Sequence, residues 1–173
     1  MDGQEGVKTP IGMHGFKLEV ETHIITAAAA TVDNLRQCVG AAGVDIQQFV
    51  LNPLASAEVV LTAQERQMGV AVCDIGGGTT DLSIYVNDDV WHTMVLAVGG
   101  NQVTQDIAHG LRLPLSQAEE VKKQQGHAVR SEIGSDEYFS IRPFGEDHDV
   151  RINRQDLAYI NEARITETFG LIL

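Results

Sequence analysis

The sequence has few cysteines, few aromatic residues and few positive charges. Its two cysteines are Cys38, in a helical pattern, and Cys73, in a strand pattern, so we predict neither a disulfide framework nor a cysteine metal site, and a reducing compartment fits best. The 12 Lys and Arg residues are outnumbered by 24 Asp and Glu residues, which gives a formal net charge of −12. Because nucleic acid is bound through clustered Lys and Arg, no nucleic-acid partner is predicted.

Long hydrophobic runs are also missing. No apolar stretch approaches the ~20 residues that a membrane-spanning helix needs. Hydrophobic residues still make up 43% of the chain and aromatic residues only 5%, so the core must be built mainly from aliphatic side chains. A chain of 173 residues is long enough for one domain or for two small halves. We therefore expect a globular protein.

Residues 69–86 carry the most informative pattern, GVAVCDIGGGTTDLSIYV. An apolar run, three glycines and then alternating apolar and polar residues predict a strand, a tight turn and a second strand. Successive glycines can turn their N–H groups to one side and bind phosphate oxygens at close range. In the dinucleotide fingerprint and in the Walker loop such a turn opens a helix, whereas here a period of two follows. The pattern therefore predicts a phosphate-binding hairpin, with a plain glycine-rich turn as the alternative.

Acidic and hydroxyl side chains flank the glycines. Asp74 would repel a phosphate unless it held a cation, and Mg²⁺ bound through water is the candidate. Asp81 provides a second carboxylate beyond the turn, and two threonines add hydroxyl donors. The predicted phosphate site comprises Asp74, which is also the metal ligand, with Gly76, Gly77, Gly78, Thr79 and Thr80.

Periodicity predicts further strands and helices along the chain. Strands are predicted at residues 16–26, 46–51, 90–98, 138–141 and 150–152. Helices are predicted at residues 31–42 and 54–61, after residue 101, from residue 116, and after Asn153, which is a good helix cap. Residues 62–69 are predicted to form a polar connection.

Two helices offer candidate residues beside the hairpin. Gly99, Gly100 and Asn101 precede a helix whose N-terminus is a natural neighbour for phosphate or ribose. In the next helix, Glu119 and Lys122 are three residues apart and lie on one face. Ser116 and Glu119 also fit a capping box, so a capping role for Glu119 stays equally open.

Acidic residues concentrate between residues 131 and 150, where six carboxylates accompany Arg142 alone. A solvated acidic surface and a partner-binding surface are both compatible with this composition.

Several segments together resemble the FtsA family of actin-like bacterial cell-division proteins, over nearly the whole chain. The hairpin is similar to the second phosphate motif of the wider actin, sugar-kinase and heat-shock ATPase superfamily. The Gly-Met-His-Gly of residues 12–15 and the Val-Thr-Gln-Asp-Ile-Ala of residues 103–108 are more typical of FtsA itself. The other segments that carry the resemblance are residues 2–4, 21–26, 53–57, 99–102, 118–122 and 162–164.

The resemblance implies an α/β fold of the actin-like ATPase type, built from two ribonuclease-H-like halves and present here as an internal fragment. Residues 1–62 would be the C-terminal part of the first half, with a strand, a helix, a strand and a crossing helix. Residues 63–100 and 154–173 would form the core of the second half, and residues 101–153 its smaller subdomain. The first phosphate loop, the inserted polymerisation subdomain, the adenosine loop and the amphipathic membrane helix are expected to lie outside this chain.

The resemblance also implies ATP and Mg²⁺ as cofactors. Asp74 would organise Mg²⁺, residues 76–79 would cradle the phosphates, residues 99–101 would border the nucleotide, and Glu119 with Lys122 would contact the ribose or base. ATP binding is expected in the full-length protein, hydrolysis is expected to be weak or absent, and the fragment is expected to be inactive. Asn52, where many relatives carry an acidic residue, agrees with weak hydrolysis or is simply a helix cap.

The implied function is a division scaffold that links FtsZ filaments to the inner membrane face and self-associates into filaments in an ATP-dependent manner. Residues 101–153 would receive the C-terminal tail of FtsZ, and membrane contact would come from a terminal helix absent from this chain. The implied location is the cytoplasmic side of the membrane at the division site. Two alternatives stay open: an ATPase or kinase of the same superfamily, and an actin-like platform for pilus or cell-shape machinery.

Overall fold

A computed structural model describes all 173 residues, which form two compact units, Met1–Phe49 and Val50–Leu173. Six α-helices, five β-strands and one short 3-10 helix make up the regular structure. No helix in the chain combines the length and the apolar character that crossing a membrane requires.

The first unit contains one regular element, helix α1 (Ala29–Ala41), which confirms the predicted helix. The strands predicted at residues 16–26 and 46–51 are wrong, because neither segment pairs with another strand. A strand needs ladder hydrogen bonds from a neighbouring backbone, and alternation of side chains cannot supply that neighbour. Side chains that the pattern predicts to be buried are accordingly exposed, including Phe16 at 105% and Val20 at 73%.

A three-stranded antiparallel sheet in the second unit contains the predicted phosphate hairpin. Its strands are β1 (Val70–Ile75), β2 (Thr80–Val86) and β3 (Asp89–Leu96), with β2 in the centre. Ile75 lies opposite Thr80, so the three glycines form the turn that joins β1 to β2. The predicted order of strand, glycine turn and strand is confirmed.

Helix α2 (Asn52–Val60) packs against β1 and β2. Pro53 lies in its first turn, where the missing N–H breaks no helical hydrogen bond. The Pro53 carbonyl accepts a hydrogen bond of 3.3 Å from the Ser83 hydroxyl of β2, and Ala57 is fully buried. A hydrogen bond from the Ser56 hydroxyl to Asp74, near the end of β1, brings the middle of α2 beside the glycine turn.

Residues 63–68, predicted to be a connection, form a short helix, α3 (Ala63–Met68). The sequence does contain the signal for it, because Thr62 and Glu65 form a capping box in which each side chain accepts from the other residue's N–H. Arg66 of α3 donates to the Ala57 carbonyl at 3.1 Å and so joins α3 to α2.

The rest of the second unit follows the predicted order. It comprises the helices α4 (Gly100–Leu111), α5 (Leu115–Gln125) and α6 (Arg154–Ile172), a 3-10 turn (Arg130–Glu132), and a hairpin of β4 (Tyr138–Ile141) with β5 (Val150–Asn153). Asn153 caps α6 as predicted, since its side chain accepts from the Gln155 N–H at 2.8 Å. The three helices and β4 share a core of Val103, Ile107, Leu113, Ala118, Val121, Ile141 and Leu157.

An ion pair fixes α4 against α6 at the edge of this core. The Arg164 guanidinium donates two hydrogen bonds to Asp106, at 2.6 and 3.1 Å. Both side chains are about one-third exposed or less. Such a bidentate pair fixes the relative orientation of the two side chains as well as attracting them, because the planar guanidinium matches the carboxylate.

The N-terminus of α4 is held against the glycine turn by backbone hydrogen bonds. The Gly100 N–H donates to the Gly76 carbonyl at 2.9 Å, and the Asn101 N–H donates to the Gly77 carbonyl at 2.7 Å. Gly99 makes this approach possible, since a Cβ there would lie 2.6 Å from the Gly76 carbonyl oxygen and 2.7 Å from that of Gly77. Its φ of −164° suits any residue, so the requirement for glycine here is steric.

We expect Gly99→Ala to separate the turn from α4 and to lower the free energy of unfolding by about 1–3 kcal/mol, the usual cost of an overpacked site. Gly170→Ala is the matched control, because a Cβ at Gly170 in α6 would meet open space. Chemical denaturation followed by circular dichroism measures both variants. A Gly99→Ala protein as stable as the Gly170→Ala protein would contradict this account of the contact.

Candidate functional site

The glycine turn presents free backbone donors at its tip. The Gly76 N–H closes the turn by donating to the Thr79 carbonyl at 2.8 Å. The N–H groups of Gly77 and Gly78 donate to no atom of the chain, and a Cβ at Gly78 would meet nothing within 4 Å. Neighbouring free N–H groups in an open turn are suited to binding the oxygens of an anion.

The predicted role of the α4 N-terminus as a direct phosphate neighbour needs correction. The N–H groups of Gly100 and Asn101 are engaged by the turn, and the Gln102 N–H donates to the Gly99 carbonyl. The Gly99 N–H is also used, because it donates to the Gln102 side chain at 2.9 Å. The helix terminus therefore supports the turn from behind, although the residues at 99–101 do lie beside it as predicted.

Asp74 is the next-to-last residue of β1, close to the turn, and its side chain is held by a residue of α2. The Ser56 hydroxyl donates to Asp74 Oδ2 at 2.6 Å, and Oδ1 accepts no hydrogen bond from the chain. Asp81 lies directly opposite Asp74 on β2 and is only 7% exposed, with one long hydrogen bond of 3.4 Å from the Thr79 hydroxyl. Like charges on directly opposed residues repel, so a cation near these carboxylates would relieve the repulsion.

The donor set near the turn fits a magnesium ion only in part. Carboxylate oxygens are the ligands that Mg²⁺ prefers, and it commonly keeps several waters while binding one or two carboxylates and a phosphate. No group of three or more His, Cys, Asp or Glu side chains gathers anywhere in the chain to hold a metal ion by itself. The arrangement is thus compatible with an ion shared between Asp74, water and a bound phosphate.

The prediction that Thr80 contacts the nucleotide also needs correction. Its side chain is fully buried, and its hydroxyl donates to the Val98 carbonyl at 2.7 Å. Because this hydrogen bond joins β2 to the segment that leads into Gly99, Thr80 supports the turn from inside the protein. Thr79 is exposed at the turn, where its hydroxyl stays within reach of a ligand.

Glu119 and Lys122 meet on α5 and contact α4. Lys122 Nζ lies 2.6 Å from Glu119 Oε2, 2.8 Å from the Thr104 hydroxyl and 3.0 Å from the Gly100 carbonyl. Glu119 Oε2 also accepts from the Thr104 hydroxyl at 2.5 Å. Lys122 and then Thr104 lower the pKa of Glu119 to about 2, so its carboxylate is charged at any physiological pH.

Glu119 does not form the capping box at the N-terminus of α5 that the sequence left open. Helix α5 begins at Leu115, directly after Pro114, and no side chain caps its N-terminus. The Glu119 side chain instead contacts α4 and the neighbouring lysines, Lys122 and Lys123. The helix starts two residues earlier than a cap at Ser116 requires, because its N-cap position is Pro114.

Hydrogen bonds connect α5 to the glycine turn through the first residues of α4. Lys122 binds the carbonyl of Gly100, whose N–H binds the carbonyl of Gly76. The predicted residues at 76–78, 99–101, 119 and 122 are therefore brought together in one region. Asp74 joins them through the end of β1.

Two residues of this region were not predicted to have a role. Ser56 and Thr104 both lie in segments that carry the family resemblance, but a single hydroxyl in a sequence does not show what it contacts. Their polar partners, Asp74 and Glu119, lie 18 and 15 residues away along the chain. Only the packing of α2 on the sheet and of α4 on α5 brings each pair into contact.

None of the ion pairs in the acidic stretch at residues 131–150 involves a residue of this site. Arg142 pairs with Asp149, with Nη2 and Oδ1 2.9 Å apart and both side chains largely exposed. Glu137 pairs instead with Arg154 of α6, at 2.6 Å. Most of the stretch is exposed, which is compatible with either of the surfaces considered from the sequence.

Two family models match the chain. The model of "Cell division protein FtsA" matches residues 71–170, which is more than half of the chain. The model of the "SHS2 domain inserted in FTSA" matches residues 1–26. The second match corrects the expectation that the inserted subdomain lies wholly outside this chain.

Curated relatives match over the whole chain. Cell division protein FtsA of Neisseria meningitidis serogroup B is 42% identical over 173 residues, covering 100% of this chain and 42% of the relative. The Pseudomonas aeruginosa protein of the same description is 40% identical over 172 residues, covering 99% of this chain and 41% of the relative. The Bacillus subtilis protein is 38% identical over 172 residues, covering 99% of this chain and 39% of the relative. The chain spans about two-fifths of the length of the curated relatives it matches.

Solved structures show the same fold at lower sequence identity. MreB5 of Spiroplasma citri bound to ADP gives a TM-score of 0.66 at 21% identity, covering 84% of this chain and 47% of that one. The same protein bound to AMPPNP gives a TM-score of 0.62 at 22% identity, covering 84% of this chain and 46% of that one. The fold is that of part of an actin-like ATPase, as predicted. Together with the family model that matches residues 71–170, this makes the chain a member of the FtsA family of actin-like cell-division proteins.

Proposed function

We propose that the protein is a nucleotide-binding scaffold of cell division that binds MgATP and self-assembles in an ATP-dependent manner. In this proposal it links FtsZ filaments to the inner face of the cell membrane at the division site. The observation that carries it is the glycine turn, in which two free N–H groups stand beside a carboxylate that is held by Ser56.

The phosphate end of the nucleotide would bind at the turn. The N–H groups of Gly77 and Gly78 would donate to phosphate oxygens, and the exposed Thr79 could add its hydroxyl. This proposal is supported by the fold, since MreB5 of Spiroplasma citri has been crystallised with ADP and with AMPPNP. The formal charge of the chain is −12, so attraction by surface lysines would not account for anion binding.

Asp74 would hold the magnesium ion that accompanies the nucleotide. Ser56 occupies Oδ2, which leaves Oδ1 to bind the ion directly or through water. A bound Mg²⁺ would neutralise part of the negative charge on the phosphates. The buried carboxylate of Asp81 would add negative charge on the same side and so strengthen the requirement for a cation.

Glu119 would contact the ribose or base, with Lys122 as its supporting partner. A carboxylate with a pKa of about 2 accepts hydrogen bonds but does not donate them, and ribose hydroxyls are suitable donors. Lys122 already uses its three donor directions on Glu119, Thr104 and Gly100, so its contribution would be to hold the carboxylate in place.

Binding rather than turnover would be the main use of the nucleotide. Rapid phosphoryl transfer to water needs a group that orients the attacking molecule. At the turn, one oxygen of Asp74 is engaged by Ser56, and Asp81 is buried. We therefore expect turnover below about one per second, the low end of ordinary enzymes.

Residues 101–153 would receive the C-terminal tail of FtsZ. An open cleft of ≈ 570 Å³ lies in this region, lined by Gln105, Ala108, His109, Arg112, Leu113, Leu115 and Phe144. Phe144 and Leu115 are 68% and 59% exposed, and the Phe144 N–H donates to the Arg112 carbonyl, which holds the phenyl-bearing loop beside α4. Apolar side chains next to a cationic one suit a peptide with apolar and acidic residues.

Replacing Asp74 tests the magnesium site. In the intact protein we expect Asp74→Asn to weaken MgATP binding by at least about tenfold, because the neutral amide holds Mg²⁺ poorly. Isothermal titration calorimetry with MgATP measures the affinity, and Asp147→Asn, on the exposed β4–β5 loop, is the control for loss of one negative charge. If the two variants bind MgATP with equal affinity, Asp74 does not hold the magnesium ion.

The 173-residue chain by itself is expected to bind MgATP weakly or not at all, since one phosphate hairpin contacts only part of a nucleotide. Differential scanning fluorimetry with and without MgATP checks this, and a shift of many degrees would show that the site in this chain is more complete than proposed.

Removing the exposed aromatic ring of the cleft tests the FtsZ contact. We expect Phe144→Ala to weaken binding of an FtsZ tail peptide to the intact protein by about tenfold, as for an interface anchor. Phe169→Ala, which removes a half-exposed ring from α6, is the matched control and is expected to bind normally. Fluorescence anisotropy of a labelled peptide measures both. Absence of wild-type binding at hundreds of micromolar would oppose the division role.

A further inference from the structure

Thr104 lies one helical turn after Gly100 in α4, and its side chain contacts α5. It is only 6% exposed, so its hydroxyl is shielded from water and must find partners within the protein. Those partners are the two charged side chains of α5, Glu119 and Lys122. No role in nucleotide binding follows from Thr104 alone, since it has no charge and is almost completely covered.

The Thr104 hydroxyl can satisfy both charged partners at once. Its oxygen accepts from Lys122 Nζ at 2.8 Å, and its single hydrogen can go to Glu119 Oε2 at 2.5 Å or to the Gly100 carbonyl at 3.1 Å. The carboxylate is the nearer and the charged acceptor, and charge-assisted hydrogen bonds are the stronger kind. The hydrogen is therefore assigned to Glu119.

This arrangement fixes which oxygen of Glu119 faces outward. Oε2 is occupied by Thr104 and Lys122, whereas Oε1 has only the largely exposed Lys123, at 3.2 Å. Without the hydroxyl, the carboxylate would keep its lysine partners but lose the contact that ties it to α4. It could then rotate about its side-chain bonds, and Lys122 would lose one of its three acceptors.

We infer that Thr104 is a positioning residue that orients Glu119, together with its supporting partner Lys122, so that the carboxylate faces the nucleoside end of the bound nucleotide. The inference rests on the proposed function, because it needs a nucleotide at the glycine turn. Thr104 does not touch the ligand itself. Its effect is confined to the ribose and base, since the backbone bonds from Gly100 and Asn101 to the turn do not involve its side chain.

Comparison of two ligands in the intact protein tests this inference. MgATP contacts both ends of the site, whereas magnesium tripolyphosphate contacts only the phosphate end. We expect Thr104→Val, which keeps the shape and removes the hydroxyl, to weaken MgATP binding by about tenfold, the effect of one hydrogen bond to a charged group. Tripolyphosphate affinity should change by less than about twofold, a difference too small to reflect a lost hydrogen bond. Isothermal titration calorimetry measures both ligands.

Two further variants separate positioning from folding. Thr104→Ser keeps the hydroxyl and is expected to restore most of the MgATP affinity. Thr168→Val removes another buried threonine hydroxyl, one that donates to the Arg164 carbonyl of α6, and is expected to leave both affinities unchanged.

The outcomes distinguish the inference from the proposed function. Unchanged MgATP affinity in Thr104→Val overturns the inference alone, and so does an equal loss for both ligands, which would mean that Thr104 acts through the glycine turn. Failure of Thr104→Ser to restore binding also opposes a role for the hydroxyl. A wild-type protein that binds neither ligand overturns the proposed function and the inference together.

Discussion

The candidate site depends on the contact between two backbone segments, the glycine turn and the first residues of α4. Two N–H groups of the helix bind two carbonyls of the turn, and the approach is so close that no side chain fits at Gly99. Helix N-terminal N–H groups commonly bind anions or caps. Here they bind backbone, which engages the carbonyls of Gly76 and Gly77 while the N–H groups at the tip stay free.

Electrostatics in this region follow from a shortage of free positive charge. Lys122 lies near the turn, but its charge is neutralised by Glu119. Asp74 and Asp81 lie opposite each other on the adjacent strands β1 and β2. An anion would therefore be bound by neutral N–H groups and by a cation that the carboxylates attract. In the proposed function, such a site would respond to magnesium as well as to nucleotide.

The second unit could be predicted from sequence in considerable detail, because its signals are local. Alternation around three glycines indicated the hairpin, and Asn153 marked the start of α6. In the first unit only helix α1 could be predicted in this way. Phe16 and Val20 follow the pattern of a half-buried strand, but the pattern describes a side-chain arrangement and cannot provide the neighbouring backbone that makes a strand.

The sequence by itself determined most elements of the second unit, the glycine turn and the family resemblance, since these depend on residues adjacent in the chain or spaced by one helical or strand period. Tertiary structure alone decided which polar groups meet. The hydroxyl of Ser56 reaches Asp74 only because α2 packs on the sheet, and Thr104 reaches Glu119 only because α4 packs on α5. Hydrogen bonds act over about 3 Å, a scale on which distance along the chain carries no information until the chain is folded.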